Sequence, residues 1–272
     1  MRIIIPSKGR PDTITTHLHF KDKDYWIFVH NKQEASYYKL NKTIDPERII
    51  STEQPFGISV QRQWIQDNFL KENEWHIALD DNIKYFTSVP EPLASQDSLP
   101  VKTDKSLKKA FETKISGEEF LRKCDELVEK GEREGAYNIG FATTPNFFFR
   151  QKKYRYSGYV ISKACIRKNL GIPFDQNIKA TDDYAYTAEC LLRHGKVLID
   201  NYIFAQGGHY EKGGIGTYKQ REPLKIQDGE YLMKKYPGLF NYKKKVGCDP
   251  RAELMIRLTS EKQVNEWRKN VL

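Results

Sequence analysis

Asp80, Asp81 and Asn82 close an apolar run, Trp75 to Leu79, and a second apolar run follows at once in "WHIALDDNIKYF". Two adjacent carboxylates at the end of a strand, where water is restricted, repel each other unless a cation or hydrogen-bond donors compensate. A hard divalent ion, Mg²⁺ or Mn²⁺, is the natural partner, because it takes one carboxylate and completes its shell with substrate phosphate oxygens. The competing expectation is a solvated turn joining the two strands of a hairpin, since Asp and Asn are favoured turn formers.

Three further constellations carry chemistry. Asp182 and Asp183 open a helical segment, where a carboxylate on a rigid helix start can act as general base on an acceptor hydroxyl, or simply cap the helix. "QGGHYEKGGIGTY" crowds five glycines around His209, a density that lets backbone approach a ligand closely and move over it. It does not match the spacing of a P-loop or a dinucleotide fingerprint. "PSKGRP" sets Ser7, Lys8 and Arg10 directly after the first apolar run, and Arg62 falls near the start of a helical segment. Both are places from which a base reaches phosphate, and both also suit an ordinary solvated cation.

These groups need elements to hold them. Apolar runs at residues 2–5, 25–29, 48–50 and 75–79 alternate with helical composition at "NKQEASYYKL" and at residues 58–70. That alternation predicts an α/β protein with a mainly parallel central sheet flanked by helices, and parallel sheets receive ligands at the carboxyl ends of their strands. Residues 87–106 shift to Pro, Ser, Asp and Lys and are expected as a long exposed loop before an amphipathic helix that ends at Gly135. Strands are expected over 137–149, over 154–162 and through "KVLIDNYIFAQ", with a helix at "DDYAYTAECLLRHG" and a closing helix around 261–271.

Hydrophobic residues make up 39% of the 272, which excludes a disordered chain and suffices for a substantial core. The formal net charge of +9 favours a polyanionic or phosphate-bearing partner, although a basic surface also serves solubility alone. Four scattered cysteines with no CxxC pair suggest neither a disulfide framework nor structural zinc. Ile3 to Ile5, closed by Pro6, is too short for a signal peptide or a membrane span, so a cytoplasmic protein is expected, in the host cytoplasm if phage-encoded.

Taken in order, "IPSKGRP", "GISVQRQW", "IALDDN" and "LGIPFDQNIKATDDYAYTAECLLRHGK" resemble the loop, helix, DxD signature and pre-helical acidic pair of glycosyltransferases of the GT-A fold. The small size, basic charge and opening loop look most like the bacteriophage, TET-associated type that glycosylates hydroxymethylated pyrimidines in DNA. The resemblance covers about residues 1–86 and 155–210. It implies a UDP-linked nucleotide-sugar donor contacted by Pro6, Ser7, Lys8, Arg10, Arg62, Asp80, Asp81, Gly158 and Gly208. It implies Mn²⁺ or Mg²⁺ on Asp80, Asp81, Asn82 and His209, and a base at Asp183 beside Asp182. DNA would meet Lys152, Lys153, Arg155 and the run Lys243, Lys244, Lys245, which also suits plain solvated surface. The chain departs from the family at Asn82, where the signature ends in Asp, and in its Asp-Asp pair, where Glu-Asp is usual; an enzyme that retains configuration would not use Asp183 as base.

The expected organisation is a GT-A domain over 1–218, divided into a donor half (1–86), an inserted loop and helix (87–136) and an acceptor half (137–218), followed by a basic helical extension over 219–272. The rivals are a GT-A enzyme acting on a glycan, lipid or protein, a nucleotidyltransferase, and a non-catalytic basic DNA-binding protein.

Overall fold

Ile3, Ile4 and Ile5 are all buried, and because side chains alternate across a strand they must be covered from both sides. The computed structural model shows how. It describes residues 1–90, 93–97, 112–150, 152–208, 214, 216–243 and 249–272. Ile3 and Ile5 of strand β1 (Arg2–Pro6) pack with Tyr38 of helix α1 (Lys32–Lys39), whereas Ile4 packs on the opposite side with Ile65 of α2 (Ile58–Asn68). Parallel neighbours β2 (Tyr25–Val29), β3 (Ile49–Ser51) and β4 (Trp75–Leu79) complete the first half of the sheet.

After β4 the chain leaves this sheet. Strand β5 (Ile83–Ser88) pairs instead with β6 (Thr113–Ile115) and with a later strand, β11 (Ile203–Gly207), in a separate three-stranded sheet. Helix α3 (Gly117–Glu134) starts at a Ser116 cap, whose Oγ accepts from Glu119 N, and ends at Gly135 with a φ of 70°. The large sheet then resumes with β7 (Asn138–Phe141), β8 (Tyr154–Arg155), β9 (Ala164–Lys168) and β10 (Leu198–Asp200), in the order β3-β2-β1-β4-β9-β7-β10-β8. Because β9 is antiparallel to both β4 and β7, and β8 to β10, six of the eight strands run one way. The mixed, mainly parallel sheet flanked by helices is as the sequence predicts.

Helix α4 (Asp182–His194) covers the second half, with Ala185, Ala188 and Leu191 in one core with Ala78 of β4. The last segment shares that core. Helix α5 (Tyr218–Lys235), a hairpin of β12 (Phe240–Tyr242) and β13 (Leu254–Ile256), and α6 (Glu261–Val271) contribute Leu232, Tyr236, Phe240, Ile256 and Trp267. Residues 219–272 thus share with α4 the packing that covers this half of the sheet.

Three local expectations are corrected. "KVLIDNYIFAQ" is two strands in two sheets, β10 and β11 (Ile203–Gly207), because the Asp200 carboxylate accepts from Tyr202 N at 2.7 Å and turns the chain between them. The strand expected over 154–162 stops at Arg155, and the sheet is continued by β9 instead. In the region expected as exposed loop, Thr87 and Ser88 finish β5, and Val89 and Ala94 are buried against Phe147 and Tyr202; residues 91–92 and 98–111 lie outside the described residues.

Candidate active site

Since β4 and β5 belong to different sheets, the Asp80-Asp81-Asn82 corner is not a hairpin turn, and Asp81 and Asn82 are only 3% and 4% exposed. The loop after β1 braces it. Ser7 Oγ donates to Asp81 Oδ2 at 2.5 Å, and Arg10 Nη1 donates to Asp81 Oδ1 at 2.5 Å. Thr15 N and Thr16 N donate to the Asp81 carbonyl, and Thr16 Oγ donates to that of Asp80 at 2.6 Å. Tyr38 Oη ties the brace to α1, 2.6 Å from Ser7 Oγ and accepting from Arg10 N at 3.0 Å. Burial pushes the Asp81 carboxyl up, against the opposing pull of Arg10 and Ser7. Both of its oxygens are used inside the protein.

Asp80 differs. Among the described residues no hydrogen bond reaches its carboxylate, which lines the cleft. Burial first, then the neighbouring Asp81 and Asp182 charges, raise its pKa to about 6, against Arg62 and Lys163, which favour the ionised form. Asn82 has a third task, its Nδ2 donating to the Gly208 carbonyl at 3.1 Å and so fastening the exit of β11 to the corner. Gly214 N donates to the Lys8 carbonyl in the β1 loop at 3.1 Å.

The opposite wall is the start of α4. Arg62 of α2, buried, donates to Asp182 Oδ2 and forms an ion pair that ties the two halves of the sheet together. Asp183 accepts from Tyr159 Oη, whose ring stacks on Tyr184 with centroids 4.0 Å apart. Burial and the adjacent Asp182 raise the Asp183 carboxyl to about 6, while Tyr159 and Arg62 oppose the shift. The loop entering α4 is held from α5: Asp228 accepts from the backbone N–H groups of Lys179, Ala180 and Thr181 and from Thr181 Oγ.

These walls enclose one cleft of about 240 Å³ at the carboxyl ends of the parallel strands. Pro6, Ser7, Lys8, Arg10, Arg62, Asp80, Asp81, Asn82, Asp182, Asp183 and Gly208 all line it, so the sequence-selected residues of the donor and acidic sets converge. Gly158 does not line it; with a φ of 103° it packs beside Arg155 and Ile199. Residues His209, Lys244 and Lys245 lie outside the described residues. Lys152 and Lys243 are exposed away from the cleft lining, but Lys153 donates to the Ala94 carbonyl at 2.6 Å, and the Arg155 guanidinium is half-buried, its pKa lowered by burial. The expected basic patch is thus partly internal.

The structure adds residues to which no motif pointed. Phe56, 57% exposed, holds the Lys8 ammonium over its ring and lies 5.1 Å from the His30 ring, making an aromatic end to the cleft. Lys163 enters at the other end, because β9 begins there beside Asp80. The only signal for Lys163 was its position next to a strand end, which requires the strand order.

Among the described residues no three His, Cys, Asp or Glu side chains cluster to hold a metal ion. Among the described cleft residues the carboxylate that accepts no hydrogen bond, Asp80, fits a hard divalent cation that would draw its remaining oxygens from a diphosphate and water. Both Asp81 carboxylate oxygens are engaged by Ser7 and Arg10, and Asn82 Nδ2 by the Gly208 carbonyl.

No family model matches the chain, and no curated protein matches it. Among solved structures, the crystal structure of S. aureus TarS 1–349 aligns with 99% of this chain and 69% of that chain at 10% sequence identity, with a TM-score of 0.42. An overlap that loose transfers no activity. What the fold and site define is a mixed α/β protein with a charged strand-end cleft, and among the described residues no helix is long and apolar enough to cross a membrane.

Proposed function

We propose that this protein is a glycosyltransferase of the GT-A kind, moving a sugar from a UDP-linked nucleotide-sugar to a hydroxyl. The observation that carries the reading is the Asp80 carboxylate, which lines a strand-end cleft with no hydrogen bond from the described residues and is flanked by fixed cations, in the same cleft as a second carboxylate, Asp183, on a rigid helix start. The bond from the acceptor oxygen to the sugar C1 forms as the bond from C1 to the diphosphate breaks. Asp183 takes the acceptor proton, for which a pKa of about 6 suits neutral pH: the group is ionised yet still basic. The electron pair departs on the diphosphate, near Arg10. A divalent cation on Asp80 supplies charge neutralisation to that leaving group when bound.

A hydroxymethylated pyrimidine in phage DNA is the acceptor proposed, supported by the net charge of +9 and the order of motifs. The test is thermal-shift screening of UDP-, GDP- and TDP-sugars with and without Mn²⁺, followed by salt elution from DNA-cellulose. Stabilisation by a nucleotide-sugar supports the transferase. If none raises the melting temperature, the transferase fails; if one does and DNA is not retained at low salt, the acceptor is a glycan, lipid or protein.

A further inference from the structure

Lys163 is 6% exposed, yet among the described residues its ammonium has no hydrogen bond and no carboxylate within ion-pair distance; only the Phe204 ring lies beneath it, at 4.7 Å. Charged groups are rarely buried without a hydrogen-bonded partner, because nothing replaces the lost water, and the Asp80 charge acts on this one only from beyond ion-pair distance. This one lines the cleft. Its place is fixed by backbone: Leu79 of β4 pairs with Ala164 of β9, and Asp80 N donates to the Lys163 carbonyl at 2.8 Å.

The sheet order then acts as a ruler. Along the cleft floor the strand ends present His30 after β2, Ser7 after β1, Asp80 after β4 and Lys163 before β9. Three inter-strand steps of about 4.8 Å separate the first from the last, about 14 Å in all. The His30 end carries the exposed Phe56 ring, a face on which a nucleobase can stack; the other end carries fixed charge and adjoins Asp183. A nucleotide laid across the ends with its base on Phe56 brings its distal phosphate to Lys163.

We propose that Lys163 binds the distal phosphate of the nucleoside diphosphate and neutralises it as the leaving group. This rests on the donor reading given above. Lys163 then supplies at that phosphate a cation that belongs to the chain itself, one that a sequence signature built on carboxylates does not contain.

Calorimetric titration of UDP and UMP, with GDP, CDP and ADP as alternatives and Mg²⁺ constant, tests it on wild type, Lys163→Met, Lys163→Gln and Lys163→Arg. Expected is a drop of about 10-fold or more in affinity for the diphosphate in both neutral variants, with the monophosphate within about twofold and partial recovery in Lys163→Arg. Unliganded melting temperatures verify that at least one neutral variant is folded. A neutral variant that keeps the wild-type ratio of diphosphate to monophosphate affinity overturns the role of Lys163 while leaving the donor reading intact. If wild type itself binds none of the diphosphates, the donor reading falls, and Lys163's role with it.

Discussion

Replacing Asp81 with asparagine takes a carboxylate away from Ser7 and Arg10, both of which it holds at 2.5 Å inside the protein. Replacing Asp80 in the same way removes a carboxylate to which the described protein donates nothing. The two neighbours should therefore separate stability from function. Asp81→Asn is expected to cost about 3 kcal/mol in urea unfolding. Asp80→Asn should leave the unfolding midpoint nearly unchanged, because no protein hydrogen bond among the described residues is lost, while kcat/KM falls about 100-fold or more. A stable, inactive Asp81→Asn beside an unfolded Asp80→Asn would reverse the assignment. The pH profile carries a second residue-level prediction. With Asp183 raised to about 6, kcat/KM should climb with pH through that value and level off above it. Asp80 is also raised to about 6, so the limb alone does not say which group titrates. Tyr159→Phe does, because Tyr159 donates to Asp183 and that bond favours the ionised form; its loss moves the limb to higher pH, with Asp182, Arg62 and Tyr184 still in place. A limb that stays where it was assigns it to another group. Both acidic pairs were legible in the sequence because their residue types announce the chemistry. The division of labour within each pair was not, since it depends on which loops and rings arrive from distant segments.

At the scale of elements, α4 is useful only if its first turn points into the cleft, and the device that holds it there is on α5. Asp228, buried, accepts from four donors of residues 179–181, immediately before Asp182. Asp228→Ala leaves those donors without their acceptor, so a loss of about 2–4 kcal/mol is expected, together with faster amide exchange at 179–183 and a lower kcat. Unchanged exchange there would mean that the loop is held by other contacts. Helices α1 to α4 were legible from their periodicity and stops, and β1, β2 and β4 from short apolar runs. Strand β9 was not, and its physics explains why: "ACIRK" carries Arg167, whose guanidinium is buried between the Phe174 and Tyr186 rings and donates to Ser162 Oγ at 2.6 Å. A strand whose buried face includes an arginine looks solvent-exposed to any alternation rule. With β9 went Lys163, a cleft cation set by strand register rather than by motif.

For the whole molecule, the question is whether residues 1–218 make a domain alone, as the division of composition suggests. The last 54 residues, 219–272, are basic and mixed in the sequence, but in the fold their apolar side chains share one core with Tyr186, Ala188 and Leu191 of α4 and with Ile199 of β10. Polar ties follow the same seam: Tyr236 Oη donates to Glu189 Oε1, Lys235 Nζ pairs with Asp175 at 2.9 Å, and Arg268 Nε donates to the Leu192 carbonyl at 2.8 Å. Removing the segment strips cover from one face of α4 and leaves Glu189, Asp175 and the end of the helix without those donors. Each large apolar side chain re-exposed costs about 1.5–3 kcal/mol, and a domain's whole stability is typically about 5–15 kcal/mol, so losing four such burials is enough to unfold it. A chain truncated after residue 218 is therefore expected to lack a cooperative urea transition and a near-ultraviolet circular dichroism signal, and to show no thermal shift with any nucleoside diphosphate. Trp267→Ala, which removes a single buried anchor whose Nε1 donates to the Pro237 carbonyl at 2.8 Å, should be folded but weaker by about 3–5 kcal/mol. A truncated chain with a sharp transition near the full-length midpoint would make 219–272 a dispensable appendage, and Asp228 would then have no claim on the site.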